Sequence, residues 1–217
     1  VRGATLFSGI GAPEVSTPEI DWRWAAEIDP FASAVLAARH PKIRNLGDVT
    51  KTDWQQVKRL DPVDAVVFGS PCQDFSLAGQ RAGMDGEPGN LALVALDIIR
   101  TLHPRWFVFE NVLGLLSSAA GRDFGTFLGA VAERGYGWAY RVLDAQYFGL
   151  AQRRERVFLV GYLGDWRPPA AVLFDAQSLR WNPAPCRESR EGITGTLGAR
   201  ASGGGGLGTD FEIGGGC

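Results

Sequence analysis

The chain has 217 residues, 45% apolar and 21% charged, with a formal net charge of −2. That is ordinary globular composition with length for one sizeable core, and it points away from a disordered chain, a spanning membrane protein or a globally polybasic one. Cys72, Cys186 and Cys217 are odd in number and far apart, and His40 and His103 each precede a proline with no cysteine nearby, so neither a disulfide framework nor a metal site is expected.

In chain order, apolar runs alternate with helical patterns. Residues 4–7 read as a first strand and 22–28 as a second. Residues 30–39 read as a helix with proline in its first turn. A short extended piece at 43–46 precedes a helix over 53–60 with Thr52 available as its cap. Strand 65–68 follows, then helix 91–102, which stops before Pro104. Strand 106–110 and helix 123–134, ended by Gly135, come next. Strands 138–143 and 157–162 leave no room for a helix between them. This order predicts an α/β fold: a doubly wound, Rossmann-like, mostly parallel sheet with a terminal antiparallel strand pair.

The character changes after Asp165. Prolines 168, 169, 183 and 185 interrupt the chain, and 11 of the 26 residues from 192 to 217 are glycine. The expected division is a catalytic domain over 1–165 and a linker with a short further region over 166–217. Charge divides too: residues 1–149 carry 14 basic and 17 acidic side chains, whereas 150–200 carry eight arginines against five acids. A local basic face suits phosphate contacts, and a solvated surface explains it equally well. The first residues lack the layout of a signal peptide, and a cytoplasmic location is expected.

Four segments carry candidate chemistry. Phe7-Ser8-Gly9-Ile10-Gly11 follows the first strand. Two glycines one residue apart permit a tight turn and close approach to a ligand, but the third glycine of the dinucleotide pattern is absent. That favours a cofactor with an adenosine and no phosphates over a nicotinamide dinucleotide; a plain tight turn is the other reading. Glu27, ending the second strand, is placed to accept from ribose hydroxyls, and Asp48, after the third, from an adenine amino group. Each is equally an ordinary polar end or turn residue. Phe68-Gly69-Ser70-Pro71-Cys72-Gln73 brings a thiol to the lip of the sheet, although a lone cysteine is commonly a small buried hydrophobe. Phe109-Glu110-Asn111-Val112 puts a carboxylate at the end of an apolar strand, where poor solvation is expected to favour its protonated form. Backbone amides at a helix start would satisfy it instead, a role Asn111 could share. In Gln152-Arg153-Arg154-Glu155-Arg156, the two arginines at 154 and 156 point the same way in an extended segment. They suit a phosphate, a carbonyl oxygen or a thiolate, or form a solvated edge.

Together these segments resemble the DNA (cytosine-5) methyltransferase family. The ordered set carries the likeness: Phe7-x-Gly9-x-Gly11, Pro71-Cys72-Gln73, Glu110-Asn111-Val112 and Gln152-x-Arg154-x-Arg156, over roughly residues 3–163. Gly195-Thr196-Leu197-Gly198-Ala199-Arg200 extends it weakly toward phage-type members. The resemblance implies the S-adenosylmethionine-dependent methyltransferase fold and a double-stranded DNA substrate. Cys72 would add to C6 of a flipped cytosine, Glu110 would hold its N3 and N4 edge, and Arg156 its O2, with Arg154 near the nucleophile. Pro71, Gln73 and Asn111 would join the substrate side. Phe7, Gly9 and Gly11 would line the S-adenosylmethionine site. Glu27 would take the ribose, Asp48 the adenine amino group, Ile28 and Val49 the flanks of the adenine, and Leu91 would offer backbone contacts. No metal enters this scheme, and no membrane.

The resemblance also implies a target-recognition domain and closing segments that do not follow Asp165 here. The expectation is a truncated, incomplete or split enzyme that does not methylate duplex DNA efficiently unaided, with a second polypeptide as a candidate partner. Competing readings are a catalytically silent fragment of the same fold, a methyltransferase acting on tRNA cytosine, and a Rossmann-type oxidoreductase with a reactive cysteine.

Overall fold

The computed structural model describes residues 1–71, 91–150 and 152–175. Seven strands form one sheet in the order β3-β2-β1-β4-β5-β7-β6. They are β1 (Arg2–Leu6), β2 (Asp21–Ala26), β3 (Arg44–Asn45), β4 (Ala65–Phe68), β5 (Trp106–Val112), β6 (Tyr136–Asp144) and β7 (Glu155–Leu163). The first five run parallel, and β7 lies antiparallel between β5 and β6. The helices are α1 (Ala12–Ser16), α2 (Pro30–Arg39), α3 (Trp54–Leu60), α4 (Leu91–Leu102), α5 (Arg122–Glu133) and α6 (Arg167–Leu173). This is the doubly wound arrangement expected from the sequence, with its antiparallel pair at the end.

Local chemistry accounts for most boundaries. Asp29 caps α2 by accepting from Ala32 N–H at 2.8 Å, and Pro30 fits the first turn because its missing N–H has no intrahelical partner to lose. Asp53, not Thr52, caps α3, accepting from Gln56 N–H at 3.0 Å. Thr52 faces back, its hydroxyl donating to the Asp48 carbonyl at 2.9 Å. The core gathers on β4, β5 and α5, where Phe109 lies 5.1 Å from Phe68 and 4.7 Å from Phe127, ring to ring. All three rings are almost wholly buried.

Beyond Asp165 the described chain continues as a helix. Pro168 and Pro169 open α6 rather than breaking the chain, since proline is tolerated where a helix begins. The helix packs on β6 and β7, buries Leu173, and accepts at the Leu173 carbonyl from Arg141 at 2.9 Å.

Two glycines let chain segments meet at the antiparallel end. A Cβ at Gly137 would sit 2.2 Å from the Asp165 carbonyl carbon, and one at Gly161 would sit 2.1 Å from Cε1 of the fully buried Phe107. Gly161→Ala is expected to lower stability by about 1–3 kcal/mol through overpacking. The helical Gly125 has nothing within 4 Å of its Cβ position, so Gly125→Ala should leave stability unchanged or raise it. Thermal melting of the two variants against the parent checks both; equal midpoints would refute the packing argument.

Candidate active site

The site lies at the carboxyl ends of the parallel strands, where an open α/β sheet leaves a crevice. Strand β5 runs past its neighbour: β4 ends at Phe68, paired with Phe109, so Glu110 is the first residue beyond the parallel ladder. The strand continues two residues further than its apolar pattern suggested, and Glu110 lies opposite Phe158 of β7. Pleating then separates two adjacent side chains. Asn111 shares the face of Phe107 and Phe109 and is buried; Glu110 faces the other way.

Arg156 lies opposite Val112, two residues from the Glu110 partner and on the same face as Glu110. Its Nε reaches Glu110 Oε1 at 3.1 Å, and Arg154 Nη2 stands 3.8 Å from the same oxygen. The convergence expected from the Arg-x-Arg spacing is present. The poor solvation expected of Glu110 is not, because its side chain is 34% exposed and faces two guanidinium groups. A Cβ at Gly69 would lie 3.2 Å from Glu110 Oε2, so the turn after β4 passes directly against this carboxylate. One oxygen thus faces the arginines and the other the turn Gly69-Ser70-Pro71. Cys72 and Gln73 lie outside the described residues.

Asn111, expected on the substrate side, is committed to the scaffold. Its Nδ2 donates to the Ser70 carbonyl at 3.0 Å, and its Oδ1 accepts from Val112 N–H at 2.8 Å. It ties the end of β5 to the turn that leads toward Cys72. Pro71 at the end of that turn is exposed.

Asp144 was not singled out from the sequence. It ends β6, is buried, and accepts at Oδ1 from Arg154 N–H at 2.9 Å and Gln146 N–H at 3.2 Å. The connection from β6 to β7 is thereby closed around it and the backbone of Arg154 fixed. Burial opposes ionisation of Asp144, but the N–H bonds from Arg154 and Gln146 outweigh it and hold its carboxyl below the usual carboxylate range. A depressed folded-state value means this contribution is present at neutral pH and lost on acidification. Protection of the Arg154 amide, measured by NMR hydrogen exchange relative to its intrinsic rate as pH falls from about 6 to about 3, should decrease in the parent but not in Asp144→Asn. An Asp ahead of a Gly-ended turn was the available signal; ten residues of separation hid its partner.

At the other end of the sheet, Phe7 (φ 54°), Gly9 (φ 56°) and Gly11 (φ 85°) alternate in the left-handed region. For Phe7 this conformation is strained and must be imposed by its surroundings. Gly9 has nothing within 4 Å of its Cβ position, whereas one at Gly11 would meet Leu36 and His40 at 3.0–3.1 Å. Gly9 therefore borders open space and Gly11 is a packing contact with α2. Glu27, immediately after β2, accepts from Gly9 N–H at 2.7 Å and from Asp29 N–H at 2.8 Å. Ile28 beside it is 70% exposed. Val49, expected to flank the same space, is 6% exposed and packs with the core. Asp48 accepts from the Thr50 hydroxyl at 2.7 Å and N–H at 2.9 Å and pairs with Lys51 at 3.2 Å; the Thr50 bonds lead in holding its carboxyl below the ordinary range. Leu91 begins α4, half-buried against the core. Among the described residues, no cluster of three or more His, Cys, Asp or Glu could hold a metal, and no helix is long and apolar enough to cross a membrane.

A glycine loop after β1, an acid after β2 and a carboxylate–arginine group near the end of β5 stand at the carboxyl ends of the strands of a doubly wound sheet. Residues 1–186 match the model of the C-5 cytosine-specific DNA methylase family, and the chain belongs to that family. It is 37% identical to the DNA N-6-adenine-methyltransferase of Escherichia phage P1 over 240 residues, covering 86% of this chain and 32% of that protein. It is 36% identical to the orphan methyltransferase M.Rho11sI of Bacillus phage rho11s, covering 76% of this chain and 33% of that one. The chain thus spans about a third of the length of these curated relatives. In fold, it matches the crystal structure of a DNMT2 variant from Spodoptera frugiperda with a TM-score of 0.63 at 20% identity, covering 76% of this chain and 51% of the other.

Proposed function

We propose that this chain carries the catalytic face of an S-adenosylmethionine-dependent enzyme that methylates C5 of a cytosine flipped out of duplex DNA. The observation that carries the reading is Glu110, held 3.1 Å from Arg156 and against the Gly69 turn that leads into Cys72. Cytosine C5 is a poor nucleophile and is buried in the stack, so the base must leave the duplex and be activated. Cys72 adds to C6, forming a C–S bond and giving C5 carbanion character. Glu110 accepts from the N4 amine and helps protonate N3, and Arg156 donates to O2, drawing electron density away from C6 as the C–S bond forms. After C5 has taken the methyl group, loss of its proton and cleavage of the C–S bond restore the ring and free Cys72. Arg154, beside Arg156, keeps the site positive next to the thiol, which favours the thiolate. The enzyme works in the cytoplasm in this reading.

The loop after β1 fits the cofactor that the family implies. Space lies open above Gly9, and the Glu27 carboxylate, already oriented by two N–H groups, keeps lone pairs for ribose hydroxyls. Phe7 and the exposed Ile28 supply apolar surface for an adenosine. When bound, S-adenosylmethionine supplies an electrophilic methyl carbon. Glu27→Ala removes hydrogen bonds to a charged acceptor and releases Gly9, so binding of S-adenosylhomocysteine should weaken about 10–100-fold. Calorimetry of parent and variant checks this, with NAD as the control ligand; preference for NAD would return the oxidoreductase reading.

The name of the phage P1 relative favours a second reading, transfer to the exocyclic amine of adenine. Direct attack by an amine needs no thiol. A tritiated-methyl assay on duplex DNA, with tRNA in parallel and the label located by nucleoside analysis, decides between them. Label in 5-methylcytosine supports the proposal, and label in N6-methyladenine overturns it. The assay is run on the chain by itself and with the C-terminal portion of a relative added, which also measures whether a second polypeptide matters.

A further inference from the structure

Glu14, on the short helix α1, is 4% exposed, an unusual position for a carboxylate. Its Oε1 accepts from Thr5 Oγ1 at 2.6 Å, and its Oε2 is buried with no partner. Thr5 Oγ1 lies 2.7 Å from Ser8 Oγ, and Ser8 Oγ accepts from Ala26 N–H at 3.2 Å. Proton counting gives this chain a direction. A carboxylate only accepts, and each hydroxyl has one proton. Thr5 therefore spends its proton on Glu14, and Ser8 Oγ donates to Thr5 Oγ1 at 2.7 Å in preference to the Thr5 and Ala26 carbonyls, each at 3.3 Å. The chain runs from the β2 backbone through Ser8 and Thr5 and ends on Glu14. It pins Ser8, which sits between the two left-handed residues Phe7 and Gly9.

A leucine of similar size would seat α1 without the desolvation cost of a buried carboxylate. It could not terminate the hydroxyl chain. We infer that Glu14 is a positioning residue that holds the Phe7–Gly11 loop in its binding shape through Thr5 and Ser8, without itself touching the cofactor. The inference rests on the S-adenosylmethionine reading above.

The test uses Glu14→Ala, Glu14→Gln and Thr5→Val, the last nearly isosteric in case the first folds poorly. Two quantities are read: affinity for S-adenosylhomocysteine, and hydrogen exchange of the Gly9 amide in the ligand-free chain, which reports the loop through its bond to Glu27. Glu14→Ala and Thr5→Val should each weaken binding about tenfold or more and accelerate Gly9 exchange similarly, with the amides of Val66 and Phe107 unchanged. Glu14→Gln keeps an acceptor for Thr5 and should stay within about threefold of the parent on both measures. Unchanged affinity and exchange in Glu14→Ala and Thr5→Val would overturn the inference. So would a Gln variant as impaired as Ala, or acceleration spread equally through β4 and β5. A parent chain that binds no S-adenosylhomocysteine overturns the cofactor reading instead, and Gly9 exchange then decides whether Glu14 holds the loop.

Discussion

Cys72→Ala is expected to abolish covalent capture of duplex DNA carrying 5-fluorocytosine and to lower methyl transfer by more than about a thousandfold. The substrate ring sets the size of this effect. C5 of cytosine becomes reactive only after a nucleophile adds to C6, and neither Glu110 nor an arginine can replace a thiolate in that role. Fluorine at C5 blocks the final proton loss, so the parent chain, supplied with the C-terminal portion of a relative, should remain attached to the DNA as a species stable in denaturing gels. The adduct requires the C–S bond, so its absence in Cys72→Ala separates a missing nucleophile from weak DNA binding, which a gel-shift measurement reports independently. A persistent adduct in the variant would remove Cys72 from the mechanism. Full turnover without an adduct in either protein would favour direct transfer to an amine.

Glu110→Ala is expected to lower turnover by about 10²–10⁴-fold with little change in folding stability. The carboxylate is the only acidic partner of Arg156 and Arg154 among the described ion pairs. Removing it leaves two guanidinium groups facing the space where the base would bind, with nothing to take the N3 and N4 edge. Its side chain is 34% exposed, so the folding cost of breaking the pair falls within the range of surface ion pairs, about 0–1 kcal/mol. Glu110→Gln retains an acceptor for the N4 amine and should retain more activity than Ala. Single-turnover methyl transfer alongside thermal melting checks both parts. Turnover at the parent rate would show that the carboxylate serves only the arginines. A large fall in melting temperature would show that it serves the fold.

Both predictions rest on residues that were legible in order along the chain, and pairing across the sheet brought Glu110 to Arg154 and Arg156. Several elements could be drawn from local chemistry. The ranges of α2, α4 and β4 emerged as expected, because Pro30, Pro104 and the Phe68-Gly69 junction mark their ends by conformational preference, which acts within a few residues. The glycine turn after β1, the acid after β2 and the Gly69-Ser70-Pro71 turn after β4 were likewise readable, since a doubly wound sheet brings the ends of its parallel strands to one edge.

What the sequence determined by itself was this alternation of elements and the chemistry it delivers to the carboxyl edge of the strands. Only the tertiary structure decided the partners. The place of β7 between β5 and β6 sets the register that brings Arg156 to Glu110. The pleat of β5 turns Asn111 into a strut for Ser70 while Glu110 faces outward, and it could be assigned only once the strand was known to continue to Val112. Val49 packs with the core, α6 lies against β6 and β7, and Asp144 and Glu14 found partners ten and nine residues away. The reason is common to all of them. Turn and cap preferences are intrinsic to a few neighbouring residues, whereas register, burial and the pairing of buried polar groups depend on which distant backbone is packed alongside.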